Sequence, residues 1–299
     1  MNDQPLPPKR IFPSSKVDAI SAEHVPSIPQ TESSAYKLAF QDTDFLLRED
    51  LRPVRFQLEL LKPELLLNEA NIASTFVFYG SARIPEPAAA DALIAAATNP
   101  QQRAIAESLK AKSHYYDVAR ELARLASRYG ADEQGQRHFV VCSGGGPSIM
   151  EAANRGADDE GAESIGLNIV LAHEQMPNRY LTPDLSFQFH YFALRKMHFL
   201  LRARAVAVFP GGFGTFDEMF ELLTLVQTGK VRPLPILLFG RDYWNRVVNL
   251  EAMVEEGVIA PHDLDLIHWS EDPHEAWDFV KRFYAENPAP ARQQSAPPE

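Results

Sequence analysis

Along the chain the apolar positions alternate between two rhythms, helical spacing and short unbroken runs. From 42 to 71 they fall at helical intervals, with Phe45, Leu46, Leu51, Phe56, Leu60 and Leu61 placed to line helices that pack on a main domain. Pro53 and Pro63 are expected to break this segment into pieces. A repeating order then sets in. Residues 75–80 (TFVFYG) form a short β-rich run, an alanine-rich segment follows, and helical spacing covers 114–129. Further runs at 138–146, 164–171, 205–212, 233–240 and 264–270 read as strands. Helical patterns at 148–158, 192–203, up to 229 and at 273–284 separate or follow them.

Strands alternating with helices predict an α/β fold, a Rossmann-like doubly wound parallel sheet with helices on both faces and an N-terminal helical extension. The runs lack strict polar alternation, as strands covered on both sides should. In such sheets ligands bind beyond the carboxyl ends of the strands. Three of the predicted strands end in glycine turns, at Gly80-Ser81, Gly144-Gly145-Gly146 and Gly211-Gly212. If these strands are neighbours, the turns converge on one crevice. Residues 1–35 and 287–299 are rich in Pro and polar residues and are expected to be a disordered arm and tail. That leaves 36–72 as the helical extension and 73–286 as the α/β domain.

Composition narrows the partners. The formal net charge of -11 lacks the broad basic footprint of a nucleic-acid binder, so an anionic ligand needs a local positive site. Cys142 is the single cysteine, which excludes an internal disulfide and a cysteine-only metal cluster. The polar N-terminus shows no secretory pattern and no apolar run reaches membrane-spanning length. A cytoplasmic protein that engages no membrane is expected.

The chemistry concentrates in FPGGFGTFDEMFE, residues 209–221. Gly211, Gly212 and Gly214 permit close approach of backbone to a ligand, and a helix starting near Thr215 offers free N–H groups to a phosphate. The same residues also allow a plain reading: Thr215 and Glu218 have capping-box spacing, and Phe216, Met219, Phe220 and Leu223 make a buried stripe. Spacing alone leaves both open. Asp217 and Glu218 are read as first-turn acids that suit the helix dipole and would compete with a phosphate unless the substrate spans the site. The turn at 142–157 (CSGGGPSIMEAANRGA) lacks the P-loop lysine and strict GxGxxG spacing, so it suggests a nucleotide or phosphate site only in company. Ser81 and Arg83 in YGSAR are further candidate donors, although a Ser there also suits a helix cap.

The cations lie in FHYFALRKMHFLLRAR, residues 189–204. Arg195 and His198 share a helix face, and Arg195, Lys196, Arg202 and Arg204 read by default as a solvated basic face. The histidines, His173, His190, His198 and His262 among them, have no metal spacing, and no metal site is expected.

PGGFGTFDE with the upstream Arg195-Lys196 resembles the LOG (Lonely Guy) family of cytokinin riboside 5'-monophosphate phosphoribohydrolases, often mislabelled lysine decarboxylases. The signature PGGxGTxxE is matched at Pro210, Gly211, Gly212, Gly214, Thr215 and Glu218. GGGPSIMEAANRGA resembles the family's second glycine-rich segment, and SIGLNIVLAHEQMPNRYL and LLTLVQTGK resemble its longer bacterial members. The resemblance covers about 76–248. No lysine stands in a pyridoxal-phosphate motif.

The resemblance implies a nucleotide bound over the strand ends and hydrolysis of its N-glycosidic bond to free base and ribose 5-phosphate, as in an AMP nucleosidase. It implies Arg195 and Glu218 as the catalytic pair. Substrate contacts would come from Gly80, Ser81, Gly144, Gly145, Gly146, Glu174, Lys196, Gly211, Gly212, Phe213, Gly214, Thr215 and Thr224. The match at Glu174 is looser, since LAHEQ has Ala172 where the family has LPxEQ. The resemblance implies no cofactor, no metal and a homo-oligomer, at least a dimer. The arm before 42 and the segment 84–112 have no counterpart in the short plant-type members. The alternative is a non-catalytic protein of the same fold that binds nucleotide or molybdenum cofactor.

Overall fold

A computed structural model describes residues 12–172 and 176–288 of the chain. It divides into two units, residues 1–59 and 60–299.

In the first unit the described residues form short helices. Ser15–Ala22 is capped by Ser14, whose side chain accepts from the Val17 N–H, and Thr43–Leu46 is capped in the same way by Asp42. The Arg55 guanidinium donates to the carbonyls of Leu46 and Arg48. The helix Arg52–Glu69, whose residues from 60 on belong to the second unit, contains Pro63, so Pro63 does not break the segment as its sequence suggested. Proline in a helix forfeits a backbone hydrogen bond. Here Pro63 and Leu67 are the buried residues of the helix.

The second unit is built on a sheet of seven described strands, all parallel: β1 Thr75–Tyr79, β2 Val140–Ser143, β3 Ile165–Ile169, β4 Ser186–Phe189, β5 Ala203–Val208, β6 Ile236–Phe239 and β7 His268–Ser270. Their order is β4-β3-β2-β1-β5-β6-β7. Successive side chains of a strand point to opposite faces. Phe76 and Phe78 of β1 therefore enter one core, with Val141, Ala205, Ala207 and Leu237, under the helices His114–Ser127, Ile149–Asp159 and Pro273–Glu286. Val77 and Tyr79 enter the other, with Cys142, Val206 and Val208, under the helices Phe192–Leu201 and Phe213–Gln227. Burial on both faces explains the unbroken apolar runs, and the fold is the doubly wound α/β sheet expected.

One strand was not anticipated. β4 lies at the sheet edge and is only SFQF, with Phe187 and Phe189 buried and Gln188 exposed. A four-residue alternation beside longer apolar runs carries little signal, and it reads as loop. The helices Arg241–Val247 and Leu250–Glu255 were also not anticipated.

The strand order reverses at β1, which pairs with β2 on one side and with β5 on the other. Two further hydrogen bonds continue the β1–β5 contact past the strand ends: Phe209 N–H to Tyr79 O at 2.8 Å and Ser81 N–H to Pro210 O at 3.0 Å. The glycine turns after β2, β1 and β5 thus stand side by side at the switch point.

Candidate active site at the strand switch point

A cavity of about 830 Å³ opens over these three turns. Its walls come from Gly80 to Arg83 after β1, Gly144 after β2, Gly211 to Glu218 after β5, and Phe192, Arg195 and Phe199 of the helix Phe192–Leu201.

The glycines differ in what they do. A Cβ at Gly80 would come within 2.6 Å of Ile149, and one at Gly144 within 2.6 Å of the Arg195 guanidinium. At Gly211 it would come within 2.1 Å of Thr215 Oγ1. These positions are glycine because the protein packs against them. Gly212 and Gly214 are different: a Cβ at either meets nothing within 4 Å among the described residues, and neither has a positive φ. The fold makes no demand for glycine there, although alanine is the better helix former at Gly214, the second residue of the helix. Both face the cavity, so what they leave clear is space for a ligand.

The helix begins earlier than its sequence suggested. Gly212 is the N-cap residue, its carbonyl accepts from the Phe216 N–H at 3.1 Å, and the first helical residue is Phe213. Thr215 and Glu218 are therefore not a capping box. Thr215 is buried against Gly211, while Asp217 and Glu218 lie in the second turn rather than the first. No side chain among the described residues caps this helix, so its leading N–H groups face the cavity with the positive end of the dipole.

Glu218 is 7% exposed, and its Oε2 has no hydrogen-bond partner among the described residues. Burial pushes its carboxyl up to about 7, against the pull of the Arg195 and Lys196 charges, and Asp217 and Glu221 add to the rise. Arg195 enters from the neighbouring helix. Its Nε donates to Leu167 O at 2.6 Å, and its guanidinium lies 5.1 Å from the centre of the Phe199 ring. Burial draws Arg195 below its ordinary value, and the Glu218 carboxylate opposes that. The expected solvated basic face does not form. Lys196 bridges Asp217 at 2.9 Å and Glu221 at 3.0 Å, and Arg202 is held by Glu64 and Asn68.

The other sequence candidates fall as follows. Gly80, Ser81, Gly144, Gly211, Gly212, Phe213, Gly214 and Thr215 line the cavity with Arg195 and Glu218. Ser81 Oγ accepts from the Arg83 N–H at 3.0 Å and caps no helix. Gly145 and Gly146 turn away from the cavity: their carbonyls accept from the buried Asn178 side chain, and Gly145 has φ +75°. Lys196 is not in the cavity wall, and Thr224 lines a second groove of about 550 Å³ with Phe213, Phe216, Asp217, Phe220 and Glu221. Glu174 lies outside the described residues. Sequence reasoning missed Tyr79, Met150, Phe192, Phe199, Tyr243 and Val247, which all line the cavity. Tyr79 alone carried a signal, as the last residue of a strand before a glycine turn.

Residues 150–280 match the family described as "possible lysine decarboxylase". A cytokinin riboside 5'-monophosphate phosphoribohydrolase of Arabidopsis thaliana is 29% identical over 161 residues, 52% of this chain and 69% of its own. The resemblance to the LOG family holds. A pyrimidine/purine nucleotide 5'-monophosphate nucleosidase of Escherichia coli K12 is 29% identical over 131 residues, 39% of this chain and 27% of its own. Among solved structures, the molybdenum cofactor carrier protein of Chlamydomonas reinhardtii aligns over 71% of this chain and 99% of its own, at 18% identity and TM-score 0.42. The matched span contains Arg195, Lys196 and the whole of the LOG signature from Pro210 to Glu218. No helix among the described residues is long and apolar enough to cross a membrane.

Proposed function

We propose that this protein hydrolyses the N-glycosidic bond of a nucleoside 5'-monophosphate, AMP or a cytokinin riboside monophosphate, to free base and ribose 5-phosphate. The observation that carries the reading is the joint presence of Glu218 and Arg195 on one cavity under an uncapped helix N-terminus. The names of the LOG and nucleosidase relatives support it at the level of reaction class.

The chemistry follows from the groups. The 5'-phosphate takes the N–H groups at the start of the helix Phe213–Gln227. Cleavage of the C1'–N bond sends its electron pair to the base and leaves oxocarbenium character on the ribose. The ionised Glu218 carboxylate stabilises that positive charge and holds the attacking water. The water oxygen bonds to C1', and the proton it loses passes by way of the Glu218 carboxylate to the departing base, which leaves neutral. Arg195 stays cationic at neutral pH, so it relieves negative charge on the base or orients the nucleotide rather than giving up a proton. Phosphate binding remote from the broken bond drives the step at it. Monophosphates are therefore the substrates and free nucleosides poor ones.

The reading includes a cytoplasmic setting, where Cys142 stays reduced, and a homo-oligomer. Phe213 of the cavity lining is 96% exposed, and Phe192 and Val247 of the same lining are also exposed. Light scattering that returns a monomer removes the oligomer from the reading. Incubation with AMP, followed by chromatography for adenine, tests the reaction. No base released from any of a panel of nucleoside monophosphates rejects the hydrolase, and nucleotide recovered bound and intact indicates the binding protein instead.

A further inference from the structure

Tyr79 is the last residue of β1, 5% exposed, with its ring edge-on to Phe199 at 5.1 Å. Its hydroxyl is buried and has no hydrogen-bond partner among the described residues. Glu218 Oε2, on the same cavity, is buried and unpartnered in the same sense. A buried polar atom left unpaired is costly, and such atoms call for an explanation. Here one is a donor and the other an acceptor.

The charged groups that act on Glu218 are Arg195 and Lys196 from the helix Phe192–Leu201 and Asp217 and Glu221 from its own helix, and the Glu218 charge in turn acts on Tyr79 of β1. Cys142 of β2 acts on Tyr79 from the next strand. Most of these are already engaged. Lys196 holds Asp217 and Glu221, Arg195 Nε is on Leu167 O, and burial keeps the Cys142 thiol protonated. Tyr79 alone among them brings a neutral hydroxyl. Burial and the Glu218 charge hold its phenol well above its ordinary value, so it keeps its proton wherever the enzyme works. Among the described residues the Tyr79 hydroxyl and Glu218 Oε2 are thus an unsatisfied donor and an unsatisfied acceptor on one cavity.

Resting on the role given to Glu218 above, we propose that Tyr79 is a positioning residue whose hydroxyl donates a hydrogen bond to the ionised Glu218 carboxylate and holds it towards the ribose. A hydrogen bond to the charged form favours that form. Removing the donor should therefore raise the pH at which Glu218 ionises. Tyr79→Phe keeps the ring and its contact with Phe199 and removes the hydroxyl alone. The full-length protein and this variant are titrated by carboxyl-carbon NMR of Glu218, and kcat/KM for AMP is followed against pH.

The titration of Glu218 is expected to move up by about one pH unit in Tyr79→Phe, with the acid limb of kcat/KM moving alongside it. An unchanged Glu218 titration overturns the proposal. Tyr243→Phe is the control, since the Tyr243 hydroxyl donates to Gly211 O on the same cavity. An equal shift in that variant also overturns it. If the wild type hydrolyses no nucleotide, the proposed reaction fails, and the NMR titration still decides whether Tyr79 serves Glu218.

Discussion

The Lys196 ammonium stands 2.9 Å from Asp217 and 3.0 Å from Glu221, tying together the two acids that flank Glu218 on its helix. Lys196 lowers the Glu218 pKa, whereas Asp217 and Glu221 raise it. Lys196→Gln releases both acids and should move the acid limb of kcat/KM to higher pH. The loss should be larger at pH 6.5 than at pH 8.5. A pH–rate profile that keeps its shape rules this out.

Glu218→Gln should abolish turnover and change how stability depends on pH. The folded pKa of Glu218 is raised from an ordinary 4.5 to about 7, so the folded state binds this proton more tightly than the unfolded state. The sign is therefore fixed: the contribution is fully present below pH 4.5 and is lost as pH rises through 7. Between pH 4 and pH 8 the wild type should lose about 3 kcal/mol more stability than the variant, at 1.36 kcal/mol per unit. Urea unfolding of both at the two pH values measures it. Equal losses would mean that Glu218 is not raised.

Gly214→Ala separates ligand space from packing. A Cβ there meets nothing within 4 Å among the described residues, and alanine suits a helix better, so stability should rise by about 0.5–1 kcal/mol while AMP binding weakens. Gly211→Ala should do the opposite in the fold, because its Cβ falls 2.1 Å from Thr215 Oγ1 and destabilises the start of the helix. Thermal unfolding with and without AMP distinguishes the two. Undiminished AMP binding by Gly214→Ala would sink the idea that this glycine clears room for the nucleotide.

On the other face of the sheet, Gly156 lets the helices His114–Ser127 and Ile149–Asp159 approach closely. A Cβ there would lie 2.2 Å from the Arg120 carbonyl oxygen. The clash is with backbone, so Gly156→Ala should cost about 1–3 kcal/mol. Its denaturation midpoint should fall while activity per folded molecule stays as in the wild type.

Much of this was legible in the sequence. The doubly covered sheet showed in unbroken runs such as FVFY and AVAVF, because strands buried on both faces need apolar residues at every position. The convergence of the glycine turns was conditional on strand order, which β1 pairing with both β2 and β5 supplied. The Thr215–Glu218 spacing misled, because a capping box and the second half of a longer helix have the same local pattern. Only the Gly212 carbonyl accepting from Phe216 shows where the helix starts. Arg195 and Lys196, adjacent in sequence, part company: one enters the cavity wall, and the other bridges Asp217 and Glu221 without lining the cavity itself.

By itself the sequence determined the alternation of strands and helices, the glycine turns at the strand ends and the presence of a cation pair and an acid near them. These depend on local spacing and composition. The tertiary structure decided which glycines are required by packing and which leave space, that Glu218 is buried, and that the hydroxyl of Tyr79 shares its cavity. Those properties depend on which residues of distant segments share a dry space, and burial, not sequence spacing, moves a carboxylate to about 7.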